Sequence, residues 1–555
     1  MSKPKNILFI MFDQLRFDYL SCAGHPHLKT PHMDRLASQS VRFSRCYVQS
    51  PICGAARMSF YTGRYVSSHG ASWNGIPLRV GEITLGDHLR ERGMDAYLIG
   101  KTHMRADAKG MERLGLAPDS IIGARVSECG FDAYVRDDGL WGMGPDGDYY
   151  DALSPYNEYL KAKGYDSDNP WHDYANAGIH EDGNIASGWI YSNSTKPANI
   201  KEEDSETPWL TREAIKFLDE KAANPVRPWL CHLSYIKPHW PYIVPAPYHN
   251  MYGPQDFMPV HRHEDELQDP NPVYAAFANN VIGQAFRHDD VRNNTLPAYM
   301  GLIKQCDDQM GVLFDHLEKT GQMENTIIVI TSDHGDYMGD HWLGEKDLFH
   351  EPSVKVPLII YDPSPEADST RGTVNDELVE SIDLASTFID YASGDIPDEV
   401  VEGLSLRPFI EGRTPESWRD YAISEYDYSM SPIANKLGTT PEDSRLFMVA
   451  DKRWKFMHAE GGFPPMLFDL ENDPDEFHDL GRHPDYQDQV SECYDKLFDW
   501  AIRCSQRTSM SKAELLAKRG SSRRKGIVLG LIDEETADKE LTVKYTGRAR
   551  QNHLK

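Results

Sequence analysis

Short apolar runs alternate along much of the chain with polar stretches that carry helical spacing. The most distinct apolar runs are NILFIMF at 6–12, DAYLIG at 95–100, WLCHLSYI at 229–236 and NTIIVIT at 325–331. Continuous runs of this length are typical of strands buried on both faces, and such strands form parallel sheets covered by helices. The pattern therefore predicts an α/β fold in which helices flank a mostly parallel sheet.

Two of the intervening stretches, 30–43 and 211–222, predict helices. Thr30 is suited to the N-cap of the first, with Pro31 at its first helical position. From 131 to 207 the periodicity gives way to Tyr, Trp, Asp and Gly, which predicts long ordered loops over one end of the sheet. Within this region, GMGPDG at 142–147 lacks the following helix of a phosphate-binding loop.

Beyond residue 415 the apolar pattern becomes alternating and is interrupted by turns, which predicts a small antiparallel sheet. We therefore expect a large α/β domain over 1–415, an antiparallel-sheet subdomain over 416–505 and a C-terminal arm over 506–555. The arm carries the basic stretch RGSSRRKG. It is either a flexible tail or a segment that packs on a neighbouring subunit, and the second alternative implies a homo-oligomer.

Composition limits the classes of partner. A net charge of −28 argues against nucleic acid, because phosphate backbones select clustered Lys and Arg. The chain has no apolar run near the ~18 residues that a membrane span needs, so we expect no membrane partner. The eight cysteines are scattered without a CxxC pair, and the N-terminal apolar run is shorter than the core of a secretion signal. Both features favour the cytoplasm.

Polar residues that can do chemistry follow each of the four apolar runs. They are Asp13-Gln14, Lys101-Thr102-His103, Lys237-Pro238-His239 and Asp333-His334-Gly335-Asp336. Ligands of open α/β sheets bind beyond the carboxyl ends of the strands, so we expect these side chains to converge.

A metal site is one expected result of this convergence. Asp13, Asp333, His334 and the amide oxygen of Gln14 form an oxygen-rich donor set. Such a set suits Ca²⁺, Mg²⁺ or Mn²⁺, and the single His favours Mn²⁺ slightly. The alternative interpretation of the segment from Asp333 to Asp336 is a helix-capping turn.

Cys53 is the candidate nucleophile. The sequence SPICGAAR at 50–57 precedes a helix-like run, which places Cys53 near a helix N-terminus, where backbone N–H groups attract anions. Arg57 lies one turn further on and shares the face of Cys53, so its guanidinium could fork onto a charged oxygen pair. Alternatively, Cys53 is a small buried residue without a chemical role.

Together these segments resemble the type I sulfatases and the related phosphonate monoester hydrolases of the alkaline phosphatase superfamily. The similar segments are 13–14, 53–57, 61–64, 100–103, 237–239, 332–336, 344–346 and 467–474. The resemblance implies an alkaline-phosphatase-like fold, one divalent metal ion (Ca²⁺ or Mn²⁺) and oxidation of Cys53 to formylglycine by a formylglycine-generating maturation enzyme. The hydrate of this aldehyde would also be a metal ligand. The segment has Ala55 where Pro is commoner in the family.

The resemblance also implies a role for each further site residue. The hydrate attacks sulfur or phosphorus, while Arg57, Lys101 and Asn74 hold the hydrate and the anion. His239 and Lys346 serve the leaving group. His103 deprotonates the second hydroxyl, so that the anion is expelled and the aldehyde is regenerated.

The nature of the ester follows from a few positions. Lys101 and His103 resemble the sulfatase arrangement, whereas the Asp13-Gln14 pair, the length and the missing export signal resemble phosphonate hydrolases and choline sulfatases. We expect an arylsulfatase-like enzyme that hydrolyses small-molecule sulfate monoesters through a covalent sulfo-enzyme intermediate. The alternatives are a phosphonate monoester hydrolase or phosphodiesterase with the same nucleophile, and a non-catalytic homologue that binds anions or metal.

Overall fold

The four apolar runs form strands of one large sheet. The structure is a computed structural model, and it describes residues 5–139, 154–503 and 509–519. The GMGPDG segment and most of the C-terminal arm lie outside the described residues. The strands are β1 (Asn6–Asp13), β2 (Val41–Tyr47), β3 (Asp95–Gly100), β4 (Asp132–Arg136), β5 (Ala177–Ile179), β6 (Ile185–Ser187), β7 (Trp229–Pro238), β8 (Thr326–Ser332), β9 (Lys355–Tyr361), β10 (Thr373–Glu380), β11 (Ala422–Asp427), β12 (Arg445–Ala450), β13 (Trp454–Ala459) and β14 (Met466–Asp469).

The large sheet has the strand order β10-β2-β9-β8-β1-β7-β3-β4. Neighbouring strands are parallel except at β9, which runs antiparallel to both β2 and β8. Every residue of β7 and β8 is buried, as expected of strands that are covered on both faces. The predicted α/β class with a mostly parallel sheet is confirmed.

Helices cover the sheet. They are α1 (Pro31–Ala37), α2 (Cys53–Thr62), α3 (Val66–His69), α4 (Leu85–Glu91), α5 (Ala108–Leu114), α6 (Ile121–Ser127), α7 (Pro155–Ala162), α8 (Glu206–Ala223), α9 (Pro272–Ala278), α10 (Val281–Phe286), α11 (Asp289–Lys319), α12 (Glu351–Val354), α13 (Asp383–Ser393), α14 (Arg407–Ile410), α15 (Pro432–Leu437), α16 (Gln487–Arg503) and α17 (Lys512–Lys518). The long helix α11 packs on α8 and on β7, whereas α13 packs on α2 and α4. None of the described helices combines the length and the apolar content that a membrane span would need.

Strand register brings the chemical residues together. Phe12 of β1 lies opposite Ser332 of β8, and Asp13 lies opposite Pro238 of β7. Because β8, β1, β7 and β3 are adjacent and parallel, all four polar segments begin at the same edge of the sheet. Fully buried side chains such as Ile10 hold this edge in place from below, each contributing about 1.5–3 kcal/mol.

A second sheet lies in the C-terminal part of the first of two compact units. Its strands β11, β12, β13 and β14 are consecutive and antiparallel, which confirms the prediction of a small antiparallel sheet. The first unit comprises the described residues up to 396 and those of 401–503, and the second comprises 397–400 and 509–519. In the second unit, Ser511 and Glu514 form a capping box at the start of α17. The boundaries 415/416 and 505/506 stay predictions.

Two local predictions were wrong. The helix expected over 30–43 ends at Ala37, and the chain enters β2 at Val41. Thr30 does occupy the N-cap position, yet its side chain makes no capping hydrogen bond. The region 131–207 is also not composed of loops alone, since its described part contains β4, α7 and the β5–β6 hairpin.

Candidate active site

Cys53 is the first residue of α2, as its position in the sequence predicted. The preceding Ile52 is the N-cap and has an extended backbone, and Cys53 is only 1% exposed. Asn74 closes the start of this helix, because its Oδ1 accepts a hydrogen bond of 2.7 Å from the backbone N–H of Gly54. A Cβ on Gly54 would come within 2.7 Å of this oxygen and 3.2 Å of the Asn74 Cα, so a larger residue there would displace the Asn74 side chain.

Four donor atoms form a candidate metal site at the edge of the sheet. The side chains of Asp13, Cys53, Asp333 and His334 offer ligand atoms that all lie within 4.8 Å of one another. His334 Nδ1 donates to the carbonyl of Gly335 at 2.8 Å, which leaves its Nε2 lone pair for the site. Two carboxylates and one imidazole suit a divalent ion of the Ca²⁺ or Mn²⁺ type, so the donors present fit the ion that the sequence predicted.

Gln14 is oriented by two residues to which the sequence analysis gave no role. Its amide Nε2 donates to the Tyr242 hydroxyl at 3.0 Å and to the Asp336 carboxylate. The Tyr242 hydroxyl in turn donates to Asp336 at 2.5 Å. These bonds turn Oε1 of Gln14 toward the site, where it lies 3.3 Å from Lys346 Nζ. Asp336 and Tyr242 therefore fix the orientation of the amide, and the ligand role of Gln14 stays a prediction.

Arg57 lies behind the metal-site carboxylates rather than facing a substrate. Its Nε is 2.7 Å from Asp333 and its Nη2 is 3.1 Å from Asp13. Its Nη1 donates to the Lys101 carbonyl and to the Ser234 hydroxyl. The guanidinium of Arg57 therefore binds two carboxylates of the protein itself rather than an external anion. Strands β1 and β8 bring both carboxylates within reach of the guanidinium.

The two carboxylates respond differently to this surrounding charge. Burial alone would raise the pKa of Asp13, but Lys101 at 2.6 Å and Arg57 hold it below its usual range. The pKa of Asp333 is raised by burial and by the nearby Asp13 charge. The pair therefore depends on its cations to stay ionised.

Position 53 is surrounded by positive and proton-bearing groups. Cys53 Sγ lies 3.0 Å from His334 Nε2 and 3.2 Å from Lys346 Nζ. Burial would raise the pKa of the thiol, yet Lys346 and His334 lower it well below its ordinary value. Sγ here stands in for the oxygen atoms that a formylglycine hydrate would carry. This surrounding favours an oxyanion at the position.

Lys346 is the cation best placed to meet an anionic ligand. Its Nζ contacts Gln14, Cys53, His239 and His334 at 3.2–3.3 Å. Within the described part of the chain, it makes no salt bridge to a carboxylate. Nearby charges, Cys53 foremost among them, raise its pKa against the effect of burial, so that it carries a full charge at neutral pH.

His103 lies beside Cys53 on a strained turn with φ +55°. Its backbone N–H donates to Asp138 Oδ1 at 2.7 Å, and Arg136 joins Asp138 to Glu128 through contacts of 2.5 Å. Its buried Nδ1 has no hydrogen-bond partner among the described residues. The supporting residues were missed in the sequence. They could have been found by the same sequence feature as the other site residues, a polar residue just after a strand, since Asp138 follows β4, the next strand of the sheet.

The side chains of His239 and Lys237, at the end of β7, have different partners. His239 Nδ1 donates to the Trp240 carbonyl at 2.6 Å, so its Nε2, 3.3 Å from Lys346 Nζ, is an acceptor. Burial lowers the pKa of His239 to about 4, which makes the ring neutral at neutral pH. Lys237 instead donates to Asn176 at 2.7 Å and supports the turn, so it does not join the site.

The predicted site residues therefore lie in one connected cluster at the sheet edge. Its members are Asp13, Gln14, Cys53, Arg57, Asn74, Lys101, His103, His239, Asp333, His334 and Lys346.

Comparison with known protein families places this chain among the sulfatases. A model of the sulfatase family matches residues 5–394, and a model of the N-sulphoglucosamine sulphohydrolase C-terminal region matches 339–502. The first match covers more than half of the chain, so the protein belongs to the sulfatase family, whose members generally use a metal ion and a formylglycine residue.

Individual relatives come from both sides of this group. The chain is 29% identical over 525 residues to the multifunctional alkaline phosphatase superfamily protein PehA of Trinickia caryophylli, covering 91% of this chain and 96% of that protein. It is also 29% identical to an arylsulfatase of Clostridium perfringens, covering 88% and 92%. The phosphonate monoester hydrolase of Silicibacter pomeroyi superposes with a TM-score of 0.78 at 28% identity, covering 91% and 96%. The fold is thus alkaline-phosphatase-like, as predicted.

Proposed function

We propose that this protein hydrolyses small-molecule sulfate monoesters in the manner of an arylsulfatase, with a formylglycine hydrate derived from Cys53 as nucleophile. The main support is Lys346, a buried ammonium 3.2 Å from Cys53 that lacks a carboxylate partner among the described residues. Such a charge is costly to bury unless a ligand neutralises it. A singly charged sulfate ester at position 53 would do so.

The metal would be held by Asp13, Asp333, His334 and Gln14, together with an oxygen at position 53. When bound, a Ca²⁺ or Mn²⁺ ion would supply Lewis-acid polarisation of the oxygens around it. Arg57 keeps the two carboxylates in place through contacts of 2.7 and 3.1 Å. Its loss would therefore act first on metal affinity.

The protein's own residues divide the remaining work. An oxygen at position 53 forms a bond to sulfur as the bond from sulfur to the leaving oxygen breaks, and Lys346 balances the charge on that oxygen. His103 then takes the proton of the second hydroxyl at position 53. The electron pair of that O–H bond forms the aldehyde, the carbon–oxygen bond to sulfate breaks, and water rehydrates the aldehyde.

A phosphonate monoester or phosphodiester is the second candidate substrate, because it also presents a singly charged tetrahedral centre. The similarity to the Silicibacter pomeroyi phosphonate monoester hydrolase favours it. Lys101, whose Nζ is 2.6 Å from Asp13, and His103 beside Cys53 favour the sulfate ester instead. A non-catalytic homologue that binds anions or metal remains the alternative of another class.

Mass spectrometry and parallel assays test the proposal. The peptide carrying Cys53, taken from active protein made in its native host, should show the aldehyde in place of the thiol, and an unmodified thiol would contradict the mechanism. An aryl sulfate should be a better substrate than an aryl phenylphosphonate, and the reverse order would favour the second candidate. Removal of metal with a chelator should abolish turnover, and Mn²⁺ or Ca²⁺ should restore it. The partners required are the ester and a formylglycine-generating enzyme.

A further inference from the structure

A row of aromatic rings runs outward from the leaving-group side of the site. The His239 ring lies 4.2 Å from the Trp240 ring, Trp240 lies 5.1 Å from Trp189, and Trp189 lies 6.4 Å from His172. Exposure increases from 8% at His239, through the half-buried Trp240, to 38% at Trp189. The row therefore connects the buried chemical centre to the solvent.

The inner end of the row is adjacent to the group that receives the leaving oxygen. Lys346 Nζ lies 3.3 Å from His239 Nε2 and 6.0 Å from the centre of the Trp240 ring. A leaving oxygen held by Lys346 places the carbon bonded to it against the neighbouring surface. That surface is the Trp240 ring, and the next one outward is the Trp189 ring.

We propose that Trp240 and Trp189 form a subsite for an extended aromatic leaving group, in which the first ring packs on Trp240 and a second ring packs on Trp189. This inference rests on the proposed ester hydrolysis and goes beyond it by naming the residues that select the leaving group. Aromatic pairs at ring separations of 4.5–7 Å are favourable beyond their buried area, by an amount equivalent to about two- to tenfold in affinity.

The row suits an aromatic group better than a sugar. Specific binding of sugar hydroxyls needs polar groups placed to receive them. The Trp240 indole N–H is buried with no acceptor among the described residues, so it is not exposed to receive a sugar hydroxyl. The net charge of −28 also disfavours long sulfated carbohydrate polymers, which carry many negative charges outside the catalytic site.

The test compares phenyl sulfate with 4-biphenylyl sulfate, whose phenols have similar acidity. The ratio of kcat/KM for the biphenylyl ester to that for the phenyl ester should exceed one in the wild-type enzyme. Trp189→Ala should lower this ratio about fivefold, mainly through KM of the larger ester. Trp189→Phe should restore most of the ratio, since a phenyl ring still presents an aromatic face.

Ile190→Ala is the matched control. Ile190 is the neighbouring residue and is 56% exposed, yet it is not in the row. This variant should keep the wild-type ratio. A wild-type ratio of one or below, or a ratio that Trp189→Ala leaves unchanged, would overturn the subsite.

Calorimetry separates failure of the subsite from failure of the proposed function. If the enzyme prefers phosphonates, the same ratio is measured with phenyl and biphenylyl phenylphosphonates. If neither ester class is hydrolysed, the proposed function fails, and 4-biphenylyl sulfate is titrated into wild-type protein and Trp189→Ala. A Kd about fivefold weaker in the variant supports the subsite, and equal Kd values overturn it.

Discussion

Two clusters of buried charge in this protein have opposite organisations. In the first, Lys455 is fully buried and contacts Glu351 at 2.7 Å and Glu476 at 2.8 Å, while Lys355 contacts Glu351 at 2.9 Å. Two ammonium groups thus face two carboxylates. In the second, at the edge of the large sheet, Lys346 has no such carboxylate among the described residues.

In the second cluster, the described carboxylates act on Lys346 only from beyond salt-bridge distance. The fixed cations are Arg57, Lys101 and Lys346, and the carboxylates they surround are Asp13 and Asp333. The difference supports the proposal that the second cluster binds an anion, whereas the first cluster stabilises the fold. It also explains how a chain of net charge −28 can offer a cationic site to an anionic ester.

Cys53→Ala tests the second cluster and has the largest expected effect, which is a loss of activity without a loss of stability. Removing the nucleophile should lower kcat/KM by about 10⁴-fold or more, because the surrounding cations alone cannot form the bond to sulfur. Steady-state assays with an aryl sulfate measure the loss, and thermal unfolding should show a midpoint close to that of the wild type. Retention of activity in this variant would remove Cys53 from the chemistry.

Lys455→Met tests the first cluster, where we expect a loss of stability without a loss of activity. It leaves Glu351 and Glu476 buried beside a single remaining ammonium group, so the free energy of unfolding should fall by about 3–5 kcal/mol. Urea unfolding measures this change, and kcat of the folded enzyme should stay near the wild-type value.

Lys452→Met provides the control for this variant. Lys452 is a more exposed lysine nearby in sequence, with a salt bridge of 2.8 Å to Glu377. Its loss should cost at most about 1 kcal/mol. If the two variants unfold at the same urea concentration, burial is not what makes the Lys455 cluster important.

His69→Gln sharpens the comparison, because His69 is a titratable group buried without any charge. Its Nδ1 accepts from the Ala71 N–H at 3.1 Å, and its Nε2 lies 3.0 Å from the Ser59 hydroxyl. Burial lowers its pKa from 6.5 to about 3. Between these two pH values the His69 ring binds a proton only in the unfolded chain. The stability therefore falls as the pH drops from 6.5 toward 3.

The expected size of this effect is modest. Lowering the pH from 7 to 5 should cost the wild type about 2 kcal/mol through His69, and His69→Gln should lose that much less. Urea unfolding at the two pH values measures the difference. The exposed His180→Gln should keep the wild-type pH dependence, and an unchanged dependence in His69→Gln would show that the ring is not buried as a neutral group.

The central strands were predictable from sequence because both faces of each are covered. The runs at 6–12 and 325–331 became Asn6–Asp13 and Thr326–Ser332. The strand Val41–Tyr47 was missed, because it alternates between buried and half-buried residues and follows a helix after a break of only three residues. Such a short transition leaves the helical spacing apparently continuous.

Candidate site residues could be predicted from sequence where the residue type and its place after a strand indicate the chemistry. The contacts between side chains from distant segments could not be predicted. Asp13 and Asp333 could be found because each directly follows a buried strand. The bonds of Arg57 to both carboxylates could not, since they depend on side-chain direction within the folded site. The aromatic row could not be predicted either, because Trp189 and Trp240 are far apart in sequence and come into contact only in the folded chain.

The burial of Cys53 has a consequence for the proposed oxidation of this residue. The side chain is 1% exposed and contacts Lys346 and His334 at the start of a buried helix, whose first turn is closed by Asn74. An oxidising enzyme that must grasp the segment from Cys53 to Arg57 cannot reach it once β1, β8 and α2 have packed. The proposed conversion to the aldehyde would therefore have to precede folding, and the rate at which the chain closes over this segment would set the share of molecules that carry it.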